Sequence, residues 1–122
     1  MQEPKFNADG LIPTVVQNAA TGKVLMLAYM NKEALEETIT TGRAVFYSRS
    51  RGKLWRKGEQ SGHFQKVKEI YTDCDQDCIL MKVEVDQGQC HVGYMSCFYR
   101  KLNPEGRLET VEKKVYSPED VY

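Results

Sequence analysis

The chain has 122 residues, 41% hydrophobic and 28% charged, which suffices for one domain with a buried core. Lys plus Arg and Asp plus Glu number 17 each, so no bulk charge favours a polyanion, and no basic patch interleaved with aromatics marks a nucleic-acid partner. The first ten residues, MQEPKFNADG, lack the apolar centre of a secretory signal, and no apolar run is long enough to cross a membrane. A cytoplasmic location is therefore expected. In a reducing compartment the four cysteines are expected to bind metal or stay free rather than form two disulfides.

Taken in order, the opening dozen residues carry Pro4, Asn7, Asp9 and Gly10 and read as a loose arm. Residues 14–18 and 23–29 are strand-like runs joined through Thr21 and Gly22, which predicts a hairpin. Asn31 has the chemistry of a helix N-cap, and Met30 and Leu35 stand where a hydrophobic staple needs them. Ala34, Leu35, Thr38 and Ile39 recur at helical spacing and Gly42 supplies a stop, so a helix is predicted over Lys32–Thr41. Residues 44–49 form a strand, 50–53 a turn with Gly52, and 55–62 (WRKGEQSG) a loop without periodicity.

Residues 63–72 place Phe64, Val67 and Ile70 on a spacing that is not strictly two. Residues 77–85 are predicted to be a strand with Ile79, Met81, Val83 and Val85 on one face. A turn at 86–89, a strand at 95–100, a turn at 103–106 and an edge strand over 108–116 complete the reading. The sum is one mainly β (α+β) domain over 1–122. Antiparallel strands make a compact barrel-like or two-sheet core with one short helix, and the tail over 101–122 is polar.

Two clusters carry the chemistry. The run D-C-D-Q-D-C at 73–78, if extended, sets Asp73, Asp75 and Asp77 on one face and Cys74 on the other. Three like charges at this spacing repel unless a cation screens them, and magnesium, manganese or calcium suits such oxygens. Cys78 stands where an EF-hand loop requires glycine, which argues against that motif. A solvated acidic turn is the alternative.

Further on come Cys90, His91 and Cys97. Three thiolates with a fourth position open suit catalytic zinc, and the chain has no C-x2-C pair of the kind that structural zinc sites use. Cys74 and Cys78 share a face by parity, so spacing does not choose between them as the third ligand. Buried cysteines acting as small hydrophobes are the competing reading. His91 could be a ligand, a general base or a hydrogen-bonded core histidine; on a strand it would face away from Cys90, which argues against direct ligation. His63 reads as a lone exposed histidine. Arg49, Arg51, Lys57 and Ser61, with two glycines nearby, offer cations and backbone amides to a phosphate, though without the spacing of the NTPase phosphate loop.

Together these pieces resemble the phosphoribosyl-AMP cyclohydrolases of histidine biosynthesis. The matching residues are L-M-L-A-Y-M-N at 25–31, S-R-S-R at 48–51, L-W-R-K-G-E-x-S-G-H at 54–63, D-C-D-x-D at 73–77, C-H-x-G at 90–93 and S-C-F-Y-R at 96–100. They fall in order within residues 11–100. The resemblance implies hydrolytic opening of the adenine ring of N1-(5-phosphoribosyl)-AMP between N1 and C6. It implies zinc on Cys74, Cys90 and Cys97, shared across an intertwined homodimer, and magnesium on Asp73, Asp75 and Asp77. His91 is then the expected catalytic acid–base group. Arg49, Arg51, Trp55, Lys57, Glu59, Ser61 and His63 are the expected contacts to the nucleotide substrate.

Two other functions compete. A non-catalytic zinc-stabilised β-domain that binds a partner would fill all four zinc positions with protein groups. A magnesium-dependent phosphohydrolase using the aspartates would work without zinc and tolerate Cys97→Ser.

Overall fold

The computed structural model describes residues 3–120. Six strands form one curled sheet: β1 (Ile12–Asn18), β2 (Val24–Met30), β3 (Val45–Ser48), β4 (Lys53–Arg56), β5 (Lys66–Thr72) and β6 (Ile79–Glu84). Their order across the sheet is β4-β3-β2-β1-β6-β5. Among the described residues one α-helix, α1 (Lys32–Thr41), joins β2 to β3, a small hairpin of β7 (Arg100–Leu102) and β8 (Leu108–Thr110) lies outside the sheet, and a 3-10 turn covers Pro118–Asp120.

Local chemistry sets the helix where the sequence predicts it. The Asn31 side chain accepts from Ala34 N at 2.8 Å, and Gly42 adopts φ 75° while its N–H donates to Thr38 O. Thr38 is buried in the helix interior, yet its hydroxyl is satisfied both as donor and as acceptor. It donates to Ala34 O at 2.8 Å and accepts from Val45 N at 3.0 Å, tying α1 to β3.

The core fills the concave side of the sheet. Strand β1 turns alternate residues inward, with Ile12 and Val16 fully buried; Leu25, Met30, Phe46, Ile79 and Met81 pack around them. The predicted inward face of β6 is present: Ile79, Met81 and Val83 are fully buried and Val85 packs at its margin.

Five expectations are corrected. The sheet is mixed, because β1 pairs β6 in parallel, with Thr14 opposite Ile79. A strand needs a long crossover to return parallel, and here β2 through β5 supply it. The second sheet is an exposed hairpin and not a core layer. Residues 95–99 are not a strand, and the tail strand covers Leu108–Thr110 alone. Residues Lys53–Arg56 are a strand pairing with β3, so Trp55 belongs to the sheet and not to a loop.

The broken alternation of 63–72 has a simple cause. The β5–β6 register shifts between Val67 and Glu69, so Lys68 is an inserted bulge residue. The bulge lets Val67 and Ile70, three apart, both pack on the core.

The barrel-like expectation has its counterpart in the curl. Arg43 bridges Lys66, Ala44 N donates to Gln65 O at 3.0 Å, and Val67 N donates to Gly42 O at 2.8 Å. The β5 edge thus reaches back to the entry of β3.

Candidate active site

Two loops meet at one end of the curled sheet: residues 57–65, between β4 and β5, and residues 87–97, after β6. Three polar side chains of the first loop are buried and point into the second. Lys57 Nζ donates to Gln89 O at 2.9 Å, and His63 Nδ1 bonds Gly88 O at 2.7 Å. Gln65 Nε2 donates to Gln89 Oε1 at 3.0 Å. A carbonyl can only accept, so His63 carries its proton on Nδ1. These contacts fix the backbone directly ahead of Cys90 and His91.

His63 is therefore not the exposed histidine expected. Only 4% of it is accessible, because its partner lies 25 positions away and nothing local announces it. Lys57 is also 4% accessible, and Nζ lies 5.7 Å from the centre of the Trp55 ring. Burial lowers its pKa from the usual lysine value, while the neighbouring Cys97 and Cys90 act in the opposite direction.

The second loop brings two of the cysteines together. Cys90 is buried, with N–H donating to Tyr94 O at 2.9 Å. Cys97 is held against β2: its N–H donates to Leu25 O at 2.7 Å, and the adjacent Ser96 hydroxyl donates to Val24 O at 2.7 Å. The Cys90 thiol lies close enough to Cys97 to perturb it. Although Cys97 exposes part of its surface, burial around its sulfur, followed by the neighbouring Cys90, pushes its thiol up to about 12.

Cys74 does not join them. It is exposed on the 73–78 turn. Among the described residues, the one gathering of three His, Cys, Asp or Glu groups able to hold a cation is Asp73, Asp75 and Asp77. Their carboxylates lie within 4.8 Å of one another, but not through strand alternation as expected. The run is a tight turn in which Asp73 N donates to Cys78 O at 3.1 Å, Gln76 takes φ 65°, and Asp73 Oδ1 accepts from Asp77 N at 3.1 Å. A closed turn converges side chains that a strand would only align. Cys78 is half-buried there, its thiol raised by burial and then by Asp73 and Asp77.

A cleft of about 560 Å³ opens beside the paired loops, a volume suited to a small-molecule ligand. Arg51, Trp55, Lys57, Ser61 and His91 line it, and the His91 side chain is exposed. Ser61 also caps its own loop, accepting from His63 N at 3.1 Å. Three expected contacts do not line this cleft: His63, buried against Gly88, and Arg49 and Glu59, which lie beside it. Arg49 stacks on Tyr29, 4.0 Å from the ring centre, in a neighbouring depression. Glu59 faces another with Lys53 and Arg56, and does not pair with Lys57.

The buried amides Gln65 and Gln89 are site elements that the sequence reading missed. Gln65 Oε1 has no hydrogen-bond partner among the described residues. Gln65 follows the 54–63 stretch and Gln89 precedes the 90–93 stretch, so both fall outside the matching residues and nothing in the sequence signals their contact.

Comparison with known proteins gives a consistent result. A family profile described as Phosphoribosyl-AMP cyclohydrolase matches residues 26–99. A phosphoribosyl-AMP cyclohydrolase of Methanocella arvoryzae is 57% identical over 122 residues, covering 100% of this chain and 98% of its own length. One of Methanosarcina mazei is 60% identical over 114 residues, covering 93% of this chain and 92% of the relative. One of an Azoarcus species is 53% identical over 123 residues, covering 100% and 94%. With the matched residues spanning β2 to the Cys97 region and the relatives aligned along nearly their whole length, this chain belongs to the phosphoribosyl-AMP cyclohydrolase family.

Proposed function

We propose that this chain acts in histidine biosynthesis, opening the adenine ring of N1-(5-phosphoribosyl)-AMP by hydrolysis between N1 and C6, with zinc and magnesium as its metals. The observation that carries the reading is the position of His91. It stands exposed on the wall of the cleft, next in sequence to Cys90, whose thiol neighbours that of Cys97.

The donor sets fit the two metals. Burial, then the nearby Cys90, pushes the Cys97 thiol up to about 12, so a soft cation is needed to favour its thiolate, and such a pair of sulfur donors suits zinc. Cys74 lies outside that pair, so a Cys74–Cys90–Cys97 set calls for Cys74 from a second copy. A homodimer supplies it. Exposed apolar side chains on β2, β7 and β8 (Leu27, Leu102 and Leu108) support such an assembly. Asp73, Asp75 and Asp77 suit magnesium. When bound, zinc supplies Lewis-acid activation of the attacking water near neutral pH.

The chain's own residues then have these tasks. Arg51 places a cation at the cleft for a substrate phosphate, and Trp55 offers a ring face to the purine. Lys57 and His63 hold the loop that carries Cys90 and His91. Substitution at N1 leaves C6 electron-poor, and water adds there. The C6–N1 bond breaks, N1 takes a proton, and the exocyclic nitrogen stays on the product as part of a carboxamide. His91 delivers that proton to N1. A proton sent to the exocyclic amine would expel ammonia instead, the outcome of adenine deamination.

The test is His91→Ala, followed by the absorbance change on ring opening and by metal content on the same sample. Turnover should fall by at least about 100-fold with zinc and fold retained. Undiminished turnover would remove His91 from the mechanism.

A further inference from the structure

The family match ends at residue 99, and the polar segment beyond it carries no motif. Yet residues 115–118 lie directly on the loop that bears Cys90 and His91. Val115 N donates to Gly93 O at 2.8 Å. The Tyr116 hydroxyl donates to Cys90 O, which also accepts from Gly93 N at 3.0 Å, so both lone pairs of that carbonyl are used. The Tyr116 ring meets His63 edge-on, ring centres 4.6 Å apart at 81°. It thereby touches both the cysteine loop and the side chain that holds that loop from below. Two steps on, Pro118 forms part of the cleft wall with His91 and Arg51.

The fit is close enough to restrict the loop's own sequence. A Cβ on Gly88 would lie 2.7 Å from both Tyr116 Cδ1 and Val115 Cγ2. A Cβ on Gly93 would lie 2.7 Å from Tyr116 O, a backbone atom that cannot swing aside. The loop is glycine where the tail crosses it, and the crossing brackets Cys90 and His91 on both sides.

We propose that residues 115–118 form a strap that sets the position of Cys90 and His91 for the reaction, with Tyr116 as its positioning residue. This rests on the functional reading of His91 given above. Tyr116 touches the carbonyl of Cys90 and not the substrate, and it acts by holding the 88–93 backbone in one arrangement. Small displacements of a proton-delivering group have large kinetic effects, so the tail contributes to rate although it lies outside the family's matched region.

The experiment compares Tyr116→Phe and Tyr116→Ala with wild type in the full chain, by steady-state turnover and by hydrogen exchange. Tyr116→Ala should lower kcat by about 100-fold, with a smaller change in KM. It should speed amide exchange at 88–93 while leaving β1 unchanged. Tyr116→Phe keeps the ring on His63 and loses the bond to Cys90 O, so it should retain most of the activity, with a loss of about two- to tenfold. Unchanged exchange at 88–93 in Tyr116→Ala would overturn the strap. Faster exchange with kcat per folded molecule unchanged would overturn its positioning role. His91→Ala run alongside separates the two readings: full turnover in that variant, with faster exchange at 88–93 in Tyr116→Ala, refutes the role of His91 and leaves the strap standing.

Discussion

The aspartate turn allows a sharp test because its electrostatics can be changed without breaking its hydrogen bonds. Asp73 is the wrong residue to replace, since its Oδ1 accepts from Asp77 N and closes the turn. Asp75→Asn removes one of three carboxylate charges lying within 4.8 Å of each other and leaves that bond intact. Two unit charges at this separation in water repel by about 1 kcal/mol, and physiological salt roughly halves that. The substitution deletes two of the three pair repulsions, up to about 2 kcal/mol at low ionic strength. The unfolded chain retains part of this repulsion, because the three aspartates are only two positions apart in sequence.

The net expectation in chelator and low salt is that Asp75→Asn is more stable than wild type by about 1 kcal/mol, or about 4 °C in Tm. The gain should shrink as salt is added. Magnesium should then reverse the order, raising the Tm of wild type more than that of the variant, because only the wild-type turn offers three charged oxygens. Thermal unfolding with and without magnesium, at two ionic strengths, measures both effects. Equal magnesium shifts in the two proteins would refute the cation site. A variant no more stable than wild type in chelator at low salt would refute the repulsion argument itself.

Two further outcomes concern the thiols. Cys97→Ser should abolish zinc retention after gel filtration, whereas Cys78→Ser, whose side chain sits with the aspartates, should leave zinc content unchanged; loss of zinc from both would contradict the assignment. In the metal-free protein the Cys97 thiol holds its proton up to about 12 against an ordinary 9.0, so above pH 9 the unfolded chain releases a proton that the folded chain keeps. That contribution is fully present below pH 9 and is lost as pH rises toward 12. Urea midpoints should therefore fall more steeply above pH 9 in wild type than in Cys97→Ser, and parallel slopes would count against a desolvated thiol.

Features with local causes were legible in the sequence. The helix is an instance: its cap, its stripe and its terminal glycine lie within a dozen residues, and the predicted bounds are the observed ones. The hairpin of β1 and β2 and the inward face of β6 are similar cases. What escaped depended on partners distant in sequence. Nothing near His63 shows that it is buried against Gly88. The apolar run at 95–99 looks like a strand, but Ser96 and Cys97 spend their hydrogen bonds on the carbonyls of Val24 and Leu25 and form no ladder. The parallel pairing of β1 with β6 left no trace in either strand's alternation. In the site, motif likeness marked the two loops, while the direction in which Lys57 and Arg49 point is a matter of tertiary contact.

That parallel pairing also bears on how the chain acquires its shape. Thr14 and Ile79 are neighbours in the middle of the sheet yet about 65 positions apart along the chain. The β1–β2 hairpin and α1 can form early from contacts close in sequence, but the sheet stays open at β1 until β6 arrives. Closing so long a loop costs entropy before any contact offsets it. Until then β1 presents an unpaired edge with Ile12 and Val16 uncovered, a surface prone to pairing with other chains. During synthesis, the interval between completing β1 and completing β6 is when this protein is most exposed to aggregation.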